Sequence, residues 1–393
     1  MKKRKLSAIF LSFMLSAGVL AACSGNEASN ESKQDGDTVK IGVNLELSGN
    51  VASYGEGLFK GLELAVEEIN KEGIDGKKIE LVKKDNKSDA SEATNATIQL
   101  INQDKVSAIV GSATSGNTTA SIQLAQDNKI PMITPSGTAE PITFDKGKLN
   151  DYLFRTCFID PTQGTVAAEF ASSNLNVKNA AILFDSSSDY AKGLKNAFIE
   201  TFKKNGGTIL GEEAYMAKDT DFRSQLTNIK GKNPEFVYIP GYYEEVGLIL
   251  KQAKEIGLDV PFMGGDGYDS PTLVELAGAD ALNKTYFTNH YSSNDTDEKI
   301  QNFVKAFEDK NGSKPNAFNA LGYDTGYLLA DAIKRAGGGD SVKIKEALES
   351  TSGLDLVTGT GFKFDDKHNP VKSVAIINFD NGEQQLNTKI EPK

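Results

Sequence analysis

Short runs of β-branched and aliphatic residues recur along the chain, each cut off by glycine, serine or proline, and apolar stripes of helical period fill the intervals. Val39 to Leu47 reads as a first strand, broken at Ser48-Gly49-Asn50. Tyr54-Gly55-Glu56-Gly57 then precedes a helix with Leu58, Leu62, Ala65, Val66 and Ile69 on one face. Lys77 to Lys84 predicts a second strand and Ala90 to Gln103 a second helix. Val106 to Val110 and Ile130 to Thr134 are apolar enough to be parallel strands covered on both faces. This βαβα alternation predicts a doubly wound, mostly parallel sheet.

After Tyr152 to Cys157 the pattern starts again. Ala180 to Phe184, Thr208 to Tyr215, Phe236 to Ile239 and Val260 to Met263 predict strands, with helices near Phe198, Phe222 to Lys230 and Val246 to Ala253 between them. From Tyr291 onward three helical stretches dominate (300–310, 318–335 and 342–350), followed by two late strands, Phe362 to Asp365 and Val374 to Phe379. Helices without parallel strands of their own must pack on a sheet already built, so the chain should cross back to its first half near Tyr291. The expected fold is α/β, with two doubly wound parallel-sheet lobes joined by a multi-strand hinge and a ligand cleft between them. The boundaries read as 38–159 plus 291–366 for lobe 1 and 160–290 plus 367–393 for lobe 2.

Polar chemistry concentrates just after the strands. The run ending at Gly111 empties into Ser112-Ala113-Thr114-Ser115-Gly116-Asn117-Thr118, and the run ending at Pro135 into Ser136-Gly137-Thr138. Open α/β sheets bind ligands at the carboxyl ends of their strands, and helix N-termini there favour anions. Caps and turns alone would account for either stretch, but two in tandem favour a ligand. On the second half, Tyr190, Tyr242 and Asp266 follow strands in the same way. Donors on one lobe and a carboxylate on the other suit a zwitterion, its ammonium facing Asp266.

The N-terminus adds the compartment. Lys2, Lys3, Arg4 and Lys5 precede an uncharged stretch of 17 residues, Leu6 to Ala22, which is short for a membrane span. It ends at Leu20-Ala21-Ala22-Cys23, which resembles a bacterial lipobox whose cysteine is diacylated, with palmitate among its chains, after cleavage. The rival is an ordinary secretory signal with an incidental cysteine. Residues 1–22 thus read as a lipoprotein signal peptide and 23–37, without a large apolar residue, as a flexible tether. Cleavage removes four basic residues and takes the formal charge from −11 to −15, which speaks against nucleic acid and against adhesion to anionic lipid. One thiol, Cys157, then remains; it falls in an apolar run and reads as a small core residue, so no disulfide framework exists.

Catalytic readings find little support. His290 and His368 are the only histidines, neither beside a nucleophile elbow, and no phosphate-binding glycine motif follows a strand. Asp85, Asp89 and the Asp365-Asp366-His368 group lack recognised metal-ligand spacing and read as solvated loops. No catalytic residue, metal or cofactor is expected.

The lipobox, VNLELSGNVASYGEGLFKGLELAVEEIN, MITPSGTAEP, RTCFIDPTQG, VYIPGYYEEVGLILKQAKEIGL and PFMGGDG together resemble the leucine/isoleucine/valine-binding protein family, in order and over the chain beyond the tether. The resemblance implies the type I periplasmic binding protein fold and a receptor that delivers branched-chain amino acids to an ABC permease and its ATPase. It implies that Ser115 and Thr138 hold the ligand carboxylate and that the backbone at Ser136 contacts the ammonium. Asp266 stands where the family has a longer Glu. Tyr54, Tyr190, Tyr242 and Phe318 match positions that wall the pocket, with Ala113 at its floor. Without a second acid or base in the site, the ligand side chain should be aliphatic. A disulfide of some relatives is impossible, because Asn86 and Thr114 occupy its positions. The protein is thus expected to be a monomer, held by lipid on the extracytoplasmic face of the cell membrane. A same-fold receptor for another amino acid, an amide or urea is the alternative; a cell-surface hydrolase or an adhesin are rivals of other classes.

Overall fold

The structure is a computed structural model that describes residues 38–391; the signal peptide, Cys23 and the tether lie outside the described residues. β1 (Thr38–Leu45) is the spine of the first half, with Ile41, Val43 and Leu45 fully buried. After α1 (Ala52–Glu72), β2 (Lys78–Asp85) pairs with it in parallel on one side. α2 (Ala90–Gln99) follows, its start fixed by Asp89, whose carboxylate accepts the N–H groups of Ser91 and Glu92. β3 (Ala108–Gly111) pairs in parallel on the other side of β1. The short helices α3 (Ser115–Thr119) and α4 (Ile122–Asn128), β4 (Met132–Thr134), a hairpin of β5 (Phe144–Asp145) and β6 (Lys148–Leu149), and β7 (Leu153–Arg155) complete this half. The sheet runs β2-β1-β3-β4-β7, all parallel.

The second half alternates α5 (Asp160–Ser173), β8 (Asn179–Asp185), α6 (Asp189–Lys204), β9 (Thr208–Tyr215), α7 (Arg223–Gly231), β10 (Phe236–Tyr238), α8 (Tyr243–Glu255), β11 (Phe262–Gly264), α9 (Pro271–Ala277), α10 (Ala279–Leu282) and β12 (Thr285–Asn289). Then come α11 (Glu298–Asn311), α12 (Ala317–Ala336), α13 (Ser341–Glu349), a hairpin of β13 (Ser352–Leu356) and β14 (Gly359–Lys363), and finally β15 (Val374–Asp380) and β16 (Glu383–Ile390). The second sheet runs β16-β15-β12-β11-β10-β8-β9, with β15 antiparallel to both its neighbours. α12 does not stay with it: it lies along α1, so close that a side chain at Gly61 would meet the Asn319 carbonyl and one at Gly322 the Leu58 carbonyl. The chain therefore passes from one sheet's side to the other after β7, after β12 and after β14.

Several elements differ from the sequence reading. α1 begins at Ala52, which places Tyr54 inside its first turn rather than before it. Past Gln99 the second helix widens into a π-helical turn, Leu100–Asp104. Cys157 lies two residues beyond β7, buried against the Gly137 carbonyl, and not within a strand. β12, β13 and β16 were not anticipated. β12 carries the polar Thr285, Thr288 and Asn289 in the middle of a sheet, and β16 is a polar edge strand whose pairing comes from β15.

Candidate functional site

Gly111 ends β3 with φ +132, and a side-chain carbon there would lie 2.0 Å from the Asn44 carbonyl oxygen; only glycine lets the backbone pass this closely. The turn beyond it does attract an anion, but the chain supplies that anion itself. Glu46, fully buried just past β1, accepts the N–H groups of Ala113 (2.9 Å) and Thr114 (3.0 Å), the Thr114 hydroxyl (2.8 Å) and the Asn117 amide (2.8 Å). These donors, expected to face a ligand, are spent. Asn86 and Thr114 both belong to this network: the Asn86 amide donates to Asn44 and accepts from Asn117.

Ser115 then opens α3. Its Oγ accepts the Ala139 N–H at 3.1 Å, so its hydrogen remains to donate. The Ser136 hydroxyl donates to the Ala113 carbonyl at 2.8 Å, tying the two turns together. Behind them the fully buried Arg155 guanidinium donates to the carbonyls of Gly137 and Ala139, both at 2.9 Å. Those two carbonyls are thereby satisfied from within the chain. The Thr138 hydroxyl is buried and has no hydrogen-bond partner.

On the second-sheet side Asp266 follows β11 and is 3% exposed. Its Oδ1 accepts from Gln163 Nε2 (3.0 Å) and the Tyr190 hydroxyl (2.9 Å), and its Oδ2 lies 2.9 Å from His290 Nε2. The Tyr190 oxygen also accepts the Gly267 N–H. Burial, outweighing the hydrogen bond to Asp266, pulls the His290 imidazole down to about 4, so the ring is neutral at pH 7 and donates from Nε2. Its face stacks on Phe158 with centroids 3.7 Å apart, and its Nδ1 has no partner.

Aromatic rings join the two sides. Tyr54 stacks on Phe318 (4.3 Å) and meets Tyr242 edge-on (5.6 Å), while Tyr242 stacks on Tyr190 (5.0 Å). The Tyr54 hydroxyl donates to the Gly267 carbonyl and accepts the Tyr243 N–H. The anticipated residues thus fall into two groups: Ala113, Ser115, Ser136 and Thr138 in the paired turns, and Tyr54, Tyr190, Tyr242, Phe318 and Asp266 in the aromatic and acidic part.

Four residues escaped the sequence reading: Glu46, Asp160, Gln163 and His290. Their presence corrects the expectation that the site holds no second acid or base. His290 stands just past β12, where the strand-end rule would have flagged it had β12 been recognised; Glu46 stands just past β1, which ends at Leu45 and not at Leu47, so the expected strand swallows it. Asp160 and Gln163 lie in the first turn of α5, for which no comparable signal exists. Among the described residues no group of acids, histidines and cysteines could hold a metal ion, and no helix is long and apolar enough to cross a membrane.

The chain matches the model of the periplasmic binding protein family over residues 38–384. It is 33% identical over 332 residues to the leucine-, isoleucine-, valine-, threonine-, and alanine-binding protein of Pseudomonas aeruginosa, covering 84% of this chain and 87% of that one. Among solved structures it is similar to the leucine binding protein LivK of Thermotoga maritima, with TM-score 0.85 and 36% identity over 90% of this chain and 99% of that one. The substrate binding protein LivJ of Streptococcus pneumoniae, solved in complex with isoleucine, aligns with TM-score 0.84 and 41% identity over 91% and 99% of the two chains.

Proposed function

The chain belongs to the periplasmic binding protein family, and from that premise we propose that it is the substrate-binding component of an ABC importer for branched-chain amino acids. The observation that carries this reading is the buried Asp266 carboxylate, which accepts the Tyr190 hydroxyl, with the Tyr190 ring stacked on Tyr242 and Tyr242 meeting Tyr54 of the first side edge-on. An α-amino acid needs both ends: hydroxyl and N–H donors for its carboxylate, an acid for its ammonium. The rings suit an aliphatic side chain, because they offer apolar faces while the Tyr190 and Tyr54 hydroxyls are spent on Asp266 and Gly267.

In this reading residues 38–159 plus 291–366 form one lobe and 160–290 plus 367–393 the other. Ligand bound to Ser115, Ser136 and Thr138 draws Asp266 and its tyrosines over it, and the difference in its affinity for the two states drives closure. The closed protein, a monomer tethered through a lipidated Cys23 outside the membrane, hands its cargo to a permease powered by an ATPase. It performs no chemistry of its own.

A thermal-shift screen against the amino acids, short amides and urea tests this directly. Ligand at a hundred times its dissociation constant stabilises by about 2.7 kcal/mol, which leucine, isoleucine and valine should reach together. A shift confined to an amide or urea would replace the ligand class. Recovery of a chemically altered ligand would replace the binding protein with a hydrolase.

A further inference from the structure

The turn that carries Ser115 is held by a side chain from another segment. Glu46, the first residue past β1, commits its carboxylate to it: Oε1 accepts the Thr114 N–H, the Thr114 hydroxyl and the Asn117 amide, and Oε2 accepts the Ala113 N–H. These four donors match the acceptor capacity of a carboxylate. They belong to residues on both sides of Ser115, so the loop is fixed before and after it. Glu46 is itself firmly placed. It is fully buried, and the first turn of α1 lies on its backbone: a side-chain carbon at Gly55 would come within 2.1 Å of the Glu46 carbonyl oxygen and 2.8 Å of its nitrogen. Gly55 follows Tyr54, so Glu46 touches both the helix turn that carries this ring and the loop that carries the Ser115 hydroxyl.

We propose that Glu46 is a positioning residue for ligand binding, whose carboxylate fixes the direction in which the Ser115 hydroxyl is presented and keeps it in register with Tyr54. This rests on the amino-acid reading, in which Ser115 is a ligand contact; Glu46 acts through the turn and not on the ligand. With the N–H groups of Ala113 and Thr114 taken, a ligand carboxylate at this turn depends on the hydrogen of the Ser115 hydroxyl, since its Oγ already accepts the Ala139 N–H. The direction of that hydrogen follows from the backbone that Glu46 holds. A carboxylate is the group that four converging donors require, and hydrogen bonds to it are about twice as strong as neutral ones. Glutamine would offer one acceptor atom and set its own N–H groups against the remaining donors. Residues 113, 114 and 117 would then separate, and Ser115 would move with them.

The test is a pair of double-variant cycles on leucine affinity, measured by calorimetry, in which Glu46→Gln is combined with Ser115→Ala and separately with Tyr190→Phe. Alone, Glu46→Gln should weaken leucine by about tenfold or more. Added to Ser115→Ala, which already lacks the hydroxyl, it should cost less than about threefold further. Tyr190→Phe removes the hydroxyl that braces Asp266 and shares no partner with Glu46, so there the two losses should multiply. Losses that multiply in both cycles would make Glu46 a general structural residue. Unchanged leucine affinity in Glu46→Gln would free Ser115 from its control, and unchanged affinity in Ser115→Ala would leave nothing to position. Each of these overturns the proposal while the amino-acid reading stands. Should Glu46→Gln fail to fold, Asn117→Ala removes one of the four donors and is carried through the same two cycles; coupling confined to Ser115 is again the result expected, and equal behaviour in both cycles again overturns it. Wild-type protein that binds no amino acid at all would bring down the reading and this proposal with it.

Discussion

His290 Nε2 lies 2.9 Å from Asp266 Oδ2, so the acid that follows β11 is fixed by an imidazole that follows the neighbouring strand, β12. Tyr190 and Gln163 complete the bracing from α6 and α5. Three other segments of the second half therefore set the direction of one carboxylate.

Replacing Asp266 with Asn keeps the volume and removes the charge. Three donors would then face an amide with a single acceptor atom, so stability should fall by about 1–3 kcal/mol. Leucine binding should weaken further, by about thirtyfold or more, because a buried charge partner is lost. Calorimetry and a thermal melt on the same sample separate the two effects, and full leucine affinity in the variant would relocate the ammonium away from Asp266.

His290 should make the protein acid-labile. In the unfolded chain it takes up a proton near its ordinary value of 6.5, in the fold only near 4. The unfolded state binds more protons across that window, so this group's contribution to stability falls as the pH drops from 6.5 towards 4. A shift of this size corresponds to roughly 3 kcal/mol. The buried carboxyls of Asp160, Asp269 and Asp324, raised by burial, act in the opposite direction, so the quantity to compare is a difference. His290→Gln keeps a donor for Asp266 and cannot titrate. Chemical denaturation at both ends of the window should show a shallower acid loss in the variant, and identical slopes would exclude His290 as the source.

How much of this could be read from the sequence depends on what kind of information each part needs. β1, β3, β4, β8 and β10 announce themselves as apolar runs, since strands covered on both faces need nothing polar. β12 and β16 do not, because TYFTN and EQQLNTKI take their identity from the strands beside them rather than from their own composition. In the cleft, residue type plus position after a strand pointed to Ser115, Thr138, Tyr190 and Asp266. Which donor faces which acceptor is a tertiary fact. Glu46 occupying the N–H groups of Ala113 and Thr114, and Arg155 taking up the Gly137 and Ala139 carbonyls, emerge only when distant segments are placed together.

Gly111→Ala should damage both the fold and the binding. The added carbon would lie 2.0 Å from the Asn44 carbonyl at a backbone angle that alanine resists. A loss of more than about 2 kcal/mol is expected, with leucine affinity falling as the Ser115 turn shifts. A variant as stable as wild type in denaturant would contradict the tight passage of β3 past β1.

Cys23, outside the described residues, should be the lipidated N-terminus of the mature protein. Cys23→Ser should release the protein into the medium or leave the precursor uncut, as fractionation and mass spectrometry of the N-terminus would report. A wild-type mature chain that begins downstream of Cys23 would remove the anchor.

Closure is the remaining claim, and its geometry is specific. Ser53 meets Ser270 through their hydroxyls at 2.8 Å, the Tyr243 hydroxyl donates to the Asn50 carbonyl at 3.0 Å, and Tyr54 reaches Gly267. These bonds link α1 and the segment before it to the turns that follow β10 and β11, so opening would break all of them. Small-angle scattering of the chain from Ser24 onward should therefore give a smaller radius of gyration with leucine than without. The Ser115→Ala, Thr138→Ala double variant should lose that compaction, because a carboxylate no longer held on the first side cannot bring Asp266 and its tyrosines across. Equal radii under saturating leucine, with binding verified by calorimetry, would leave the amino-acid site in place and make it a rigid one.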